Sequence, residues 1–231
     1  MLAARANVLE PTTERLLAAR TWQVEERACA SEPPEYPRLP PASELFAHGE
    51  RAVLFVIDGL RFDLWLALRP LFERAFERKA VKEELRLAPA VSTTAAARTA
   101  LFGIGVAEDL ERFLAERDIG FVCAGERDHN RRPLAAALEG TERARRVVWL
   151  NMLDDRLHAS ALSPWSLAEA LASDLSVALL PQLARIPRRD RVVLTADHGF
   201  RQSPHWPRSK PRYVHGGPTL LERAVPYVEL A

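Results

Sequence analysis

At 231 residues the chain is long enough for one α/β domain of ordinary size plus a short extension. Hydrophobic residues at 48% and charged residues at 27% supply a sizeable core and exclude wholesale disorder. Lys and Arg number 32 against 31 Asp and Glu, so whole-chain charge argues for neither a polyanionic partner nor an anionic membrane.

Cys29 and Cys123 are too few for a disulfide framework and lack metal-ligand spacing, which points to a reducing cytoplasmic setting. Arg5, Glu10, Pro11, Glu14 and Arg15 interrupt the first twenty residues, leaving no apolar core for a signal peptide. No later segment is long enough to span a bilayer, so a soluble protein with no membrane partner is expected.

In chain order, residues 11–29 have helical character, with Leu16, Leu17 and Trp22 among charged neighbours. Pro33, Pro34, Pro37, Pro40 and Pro41 then remove backbone donors and forbid helix, which predicts a linker or extended arm. The expected division is 1–46 as N-terminal helix and Pro-rich arm, and 47–231 as the main domain. The arm is an expected docking point for a protein partner.

Residues 52–57 form a continuous apolar, β-branched run, as in a strand buried on both faces. A helix is predicted over 60–78, with Leu60, Leu64, Leu68, Leu71 and Phe72 on one face. A short strand at 85–87 and helices at 95–102 and 107–117 follow, then a strand at 119–123. The pattern continues with a helix at 133–139, a strand at 146–150 and a long helix at 164–185, opened by Ser163-Pro164. Strands at 191–195 and 226–230 complete it. The alternation predicts an α/β fold, a mostly parallel sheet with helices on both faces.

Three of these strands end in an acid. Asp58-Gly59 follows Ile57, Asp154 follows Leu153, and Asp197-His198-Gly199 follows Ala196. Open parallel sheets bind ligands outside the carboxyl ends of their strands, where three acids repel each other unless a cation compensates. Singly, each has a plain alternative as a turn residue, an N-cap or a solvated His. Asp154 and His158, four apart, share a face if the chain turns helically there. His215-Gly216-Gly217 adds an imidazole in a loop where the backbone can approach a ligand. Together Asp58, Asp154, His158, Asp197, His198 and His215 offer only nitrogen and oxygen, which suits zinc, with manganese second, and disfavours calcium. Six ligands exceed one tetrahedral zinc with an open position and match two divalent ions. The hydroxyl-rich run Ser92-Thr93-Thr94 opens a helix whose free N–H groups favour a phosphoryl group, and it supplies a nucleophile or an N-cap.

The segment Val56-Ile-Asp-Gly-Leu-Arg-Phe-Asp63 resembles the start of PglZ domains, members of the alkaline-phosphatase superfamily. The resemblance continues through Ser92-Thr93-Thr94 with Arg98-Thr-Ala-Leu-Phe102, then Thr195-Ala-Asp-His-Gly-Phe200. It ends with Arg212-Tyr-Val-His-Gly-Gly217 and Glu222 ahead of Val225-Pro226, and so covers about residues 50–230. It implies an alkaline-phosphatase-like core in which Asp58, Asp197, His198 and the nucleophile's oxygen hold one ion. Asp154, preferred over Asp155, would hold the other with His158 and His215. It implies Thr94 as nucleophile, with Thr93 in reserve, and Val91 departs from the family's proline. It further implies a metal-dependent phosphodiesterase, with an association with bacterial phage defence.

Basic residues cluster at 185–212 and again from Arg127 to Arg146, and Trp206 offers a stacking surface, which leans the substrate towards a nucleotide or oligonucleotide. The alternatives are a phosphomonoesterase or mutase on a small metabolite, and a non-catalytic partner subunit of a defence complex.

Overall fold

The computed structural model describes residues 36–46, 51–124, 143–159, 162, 164–178, 186–203 and 212–231. The expected helices at 11–29 and 133–139, and the end of the 164–185 helix, lie outside them, as do Cys29 and Trp206. The elements in chain order are α1 (Ala42–Phe46), β1 (Ala52–Ile57), α2 (Phe62–Phe76), β2 (Ala80–Leu87) and α3 (Thr94–Phe102). Then come α4 (Leu110–Ala115), β3 (Ile119–Ala124), β4 (Arg145–Leu150), α5 (Met152–Ala159) and α6 (Pro164–Ala178). β5 (Arg191–Thr195), β6 (Arg201–Gln202), β7 (Tyr213–Val214), α7 (Leu220–Arg223) and β8 (Ala224–Leu230) complete the set.

All six residues of β1 are buried, because helices cover both faces of the sheet. Val53, Phe55 and Ile57 pack with Leu64, Leu68 and Phe72 of α2 and Leu167 and Leu171 of α6. Leu54 and Val56 point the other way, onto Leu45 and Phe46 of α1, Leu101 of α3 and Leu110 and Leu114 of α4. The sheet order is β2-β8-β5-β1-β4-β3. β3, β4, β1 and β5 run parallel, whereas β8 is antiparallel to both β5 and β2. The fold is α/β with a mostly parallel sheet and helices on both faces.

Several boundaries differ from the sequence expectation for local reasons. α2 stops at Phe76 because Glu77 turns left-handed, with φ 52° and ψ 37°. α4 begins only after Asp109, whose carboxylate caps the N–H groups of Glu111 and Arg112. β2 extends back to Ala80, since antiparallel pairing with β8 holds residues such as Glu83 and Glu84 in strand despite their charge. Ahead of β1, Leu39 donates to the Leu87 carbonyl and α1 seals its apolar side into the core.

The amino ends of the strands are tied together by Asp190. Its buried carboxylate takes Arg51 at 2.6 Å and Arg146, while its carbonyl accepts from Arg78 at 2.5 Å. Removing the acid would leave Arg146 buried beside no countercharge. Asp190→Ala is therefore expected to lower unfolding free energy in urea by about 3–5 kcal/mol. Breaking the exposed Arg188–Glu77 pair with Arg188→Ala should leave the midpoint almost unchanged.

Candidate metal centre

Because β1, β4 and β5 are parallel and adjacent, the residues that follow them meet at one rim. Asp58 leaves β1 with its N–H on the Leu150 carbonyl. Asp197 and His198 follow β5, and Asp154 and His158 lie on α5, which starts directly after β4. His215 comes from the turn after β7.

These residues form two clusters. Asp58, Asp197 and His198 are buried, and Asp154, His158 and His215 are more open; within each trio the candidate ligand atoms lie within 4.8 Å of one another. His198 Nε2 stands 3.3 Å from Asp58 Oδ1 and 3.4 Å from Asp197 Oδ2. Asp154 Oδ1 is 3.2 Å from His158 Nε2 and 3.5 Å from His215 Nε2, and it is Asp154 rather than Asp155 that faces both rings. The His198 and His215 rings stack at 4.0 Å, which brings the clusters side by side.

The surrounding bonds aim the ligand atoms. Asp197 Oδ1 accepts from the Gly59 and His198 N–H groups, leaving Oδ2 turned to His198. Asp58 Oδ2 accepts from the Trp149 indole at 3.2 Å, leaving Oδ1. His198 Nδ1 lies 3.0 Å from the Gly199 carbonyl. A carbonyl only accepts, so Nδ1 carries the proton and Nε2 of the neutral ring keeps its lone pair. Gly59 holds φ +78°, which a side chain rarely adopts, and this lets its N–H reach Asp197. A Cβ on Gly199 would sit 2.3 Å from the Leu221 carbonyl, so the loop after His198 packs there as glycine or not at all. Buried Arg61 holds the same loop, giving two bonds to Asp63 and one to the Phe200 carbonyl at 3.2 Å while lying over the Phe200 ring.

Asp58 Oδ1, Asp197 Oδ2, Asp154 Oδ1 and His198 Nε2 are buried without any hydrogen-bond partner. Buried polar atoms are mostly matched, and a bound ion or water would match these four. Burial and the nearby Asp58 charge push the Asp197 carboxyl up to about 7. Burial alone would lower His198, but the Asp197 and Asp58 charges outweigh it and raise it to about 9. Burial likewise works against the Asp154 carboxylate, yet His158 prevails and holds its pKa below the usual value. His215 is lowered, by burial first and by His198 second. An all-oxygen-and-nitrogen donor set with unmatched buried atoms fits zinc or manganese.

The two threonines separate cleanly. Thr93 is the N-cap of α3, and its side chain accepts from the Ala96 N–H at 3.3 Å. Thr94, one residue on, is the first residue of α3, and its side chain is among the groups that hold the Asp197 carboxyl down against burial and the Asp58 charge. Trp149 and Glu222 are the contributors that sequence reading left without a role. A Trp in a fully buried strand has to place its N–H somewhere, and that requirement was the available signal.

Among the described residues of the basic clusters, five arginines pair with acids. Arg191 pairs with Glu229 at 2.9 Å, Arg201 with Glu222 at 3.3 Å and Arg143 with Asp118 at 3.4 Å, besides Arg146 on Asp190 and Arg188 on Glu77. Among the described residues, no helix is long and apolar enough to cross a membrane.

No protein-family model matches the chain, and no curated protein does. Among solved structures, the chain is similar to murine ectonucleotide pyrophosphatase/phosphodiesterase 5, an inactive variant in complex with AMP. The identity is 12% and the TM-score 0.45, over 68% of this chain. The match spans 59% of that protein's length.

The charge balance of the inner cluster has a consequence for the protein kept in a chelator. A carboxyl raised to about 7 favours folding below its unfolded pKa and loses that contribution as pH climbs through 7. A histidine raised to about 9 acts in the same direction, losing its contribution as pH climbs through 9. The chelated protein is thus expected to melt at a lower temperature near about pH 9 than near about pH 5. Calorimetry across that range checks this, and Asp58→Asn should flatten the slope.

Proposed function

We propose that this chain is a metal-dependent phosphoester hydrolase, a phosphodiesterase acting on nucleotides or oligonucleotides, with Thr94 as the nucleophile. What carries the reading is the meeting of six donors from four separate segments in two adjacent clusters, with their buried ligand atoms unmatched. Asp58, Asp197 and His198 would hold one divalent ion, and Asp154, His158 and His215 the other. The PglZ resemblance of the motifs, and with it an alkaline-phosphatase-like core and a place in phage defence, belongs to the same reading.

When bound, the two ions supply positive charge that lowers the pKa of a neighbouring hydroxyl and offsets the charge of a phosphoryl group. Asp197 lies close enough to the Thr94 side chain for the two to interact, so an ion held by Asp197 would lie near the Thr94 oxygen. The first turn of α3 carries backbone N–H groups without helical acceptors beside Thr94, and these would bind non-bridging phosphoryl oxygens. Thr94 Oγ1 attacks in line as the ester oxygen leaves, and water then releases the phospho-threonine. Gly59, Trp149 and Arg61 keep the acids in place during both displacements.

One observation favours a different substrate. Among the described residues of the basic clusters, Arg143, Arg146, Arg188, Arg191 and Arg201 pair with acids, which reduces the charge they offer a long polyanion and favours a phosphomonoester of a small metabolite.

Purified protein is expected to carry about two zinc ions per chain by metal analysis. It should hydrolyse bis-nitrophenyl phosphate faster than nitrophenyl phosphate; the reverse ranking would select the monoester reading. Thr94→Ala should reduce turnover by more than about 1,000-fold, with Thr93→Ala much less affected. Asp197→Asn should abolish hydrolysis at unchanged circular dichroism, and full activity in that variant would remove the ion-binding role of the rim.

A further inference from the structure

Ser92 precedes the nucleophile turn and is completely buried. Its hydroxyl accepts from the Gly216 N–H at 2.8 Å and donates to the Gly217 carbonyl at 2.8 Å, so both its capacities are used on one loop. Its carbonyl receives His215 Nδ1 at 3.1 Å. One residue thus grips three consecutive positions that lie far away in sequence. The bond to the carbonyl also settles the ring chemistry. Nδ1 must carry the proton, which leaves Nε2 as the lone-pair nitrogen facing Asp154 and His158.

The loop is held from its other side by Glu222. That carboxylate accepts from the Gly217 N–H at 3.0 Å, from the Thr219 hydroxyl at 2.5 Å and from Arg201 at 3.3 Å. The backbone carbonyl of Glu222 takes the Gly199 N–H at 2.8 Å, next to His198. The Gly217 peptide is therefore fixed at both ends, its N–H by Glu222 and its C=O by Ser92. Of the two residues, only Ser92 also meets the His215 ring, and it does so through its backbone carbonyl while its hydroxyl holds the next two residues.

We propose that Ser92 is a positioning residue that couples the Thr94 turn to the outer donor cluster, presenting His215 Nε2 to the ion held with Asp154 and His158. This rests on the two-ion reading above. Ser92 does not touch Asp58, Asp197 or His198 in any hydrogen bond found among the described residues, so its effect is selective. The ion at the inner cluster is bound independently of the hydroxyl, and the outer ion depends on it. Outer-shell partners of metal-binding histidines typically contribute about 10–100-fold in affinity.

The test is a zinc titration of the metal-free full chain against a chromophoric chelator, with the melting temperature of each metal-free variant measured alongside. Wild type should show two zinc ions. His215→Ala identifies the outer one by weakening it. Ser92→Ala keeps the backbone carbonyl on the His215 ring but releases Gly216 and Gly217. It should therefore weaken that same ion by about 10-fold, the low end of the outer-shell range, and leave the inner ion unchanged, and Ser92→Thr, which keeps the hydroxyl, should restore it. The double variant Ser92→Ala/His215→Ala should bind the outer ion no more weakly than His215→Ala alone, because the two act through one ring. Should Ser92→Ala fail to fold, Ser92→Cys, of nearly the same size and a weaker partner in both bonds, gives the same readout. Equal weakening of both ions, no weakening of either, or full additivity in the double variant overturns the role of Ser92 while leaving the two-ion site standing. A wild type that binds fewer than two zinc ions overturns the site and this inference together.

Discussion

Carboxylates at the two rims of the sheet meet opposite fates, and that contrast organises the molecule. At the amino rim Asp190 is buried, but arginines meet both its side chain and its carbonyl. At the carboxyl rim Asp58 and Asp197 are also buried, and each keeps one oxygen with no hydrogen-bond donor. The chain is not short of arginine, since Arg61 lies one turn beyond Asp58 and is spent on Asp63 and on the backbone of the Asp197 loop. Charge is met by arginines where it ties strands together, whereas at the carboxyl rim two acids share one imidazole, His198. In a desolvated setting that difference is large, because an unpaired buried charge is among the costliest groups a fold can hold.

The parts legible in the sequence are those where one local rule decides the outcome. The runs forming β1, β4 and β5 are apolar throughout because both of their faces are covered, and such runs stand out without any alignment. The rim acids could be grouped because parallel strands deliver their carboxyl ends to the same side. β2 was legible only in its last residues, since the charged stretch around Lys82 and Glu84 becomes strand through its pairing with β8, which is a tertiary fact. The two-residue strands β6 and β7 carry no periodicity at all, yet they deliver the segment that holds His215.

The candidate ligands were readable as residue types, but their supporting bonds were not. Nothing in the order of letters says that Trp149 gives its N–H to Asp58, or that Glu222 reaches two glycines in different loops. Those contacts join positions far apart in the chain, and hydrogen-bond partners of that kind have no local spacing to detect. The choice between Thr93 and Thr94 is similar. Both suit a helix start, and what distinguishes them is that the Thr93 hydroxyl is used to cap the helix while the Thr94 side chain acts on the Asp197 carboxyl.

The antiparallel strand β8 lies between β5 and β2, so β2 has no neighbour in the main sheet until the polypeptide beyond residue 223 arrives. Pairing of that kind closes a long loop, which is slow in folding. Glu222 sits immediately before β8 and travels with it. On a translating ribosome, every donor at the rim emerges before Glu222, which braces the glycine loops at Gly199 and Gly217. A nascent chain paused before residue 222 would therefore carry all six candidate donors while the Gly199 and Gly217 N–H groups still lacked the acceptors that Glu222 provides.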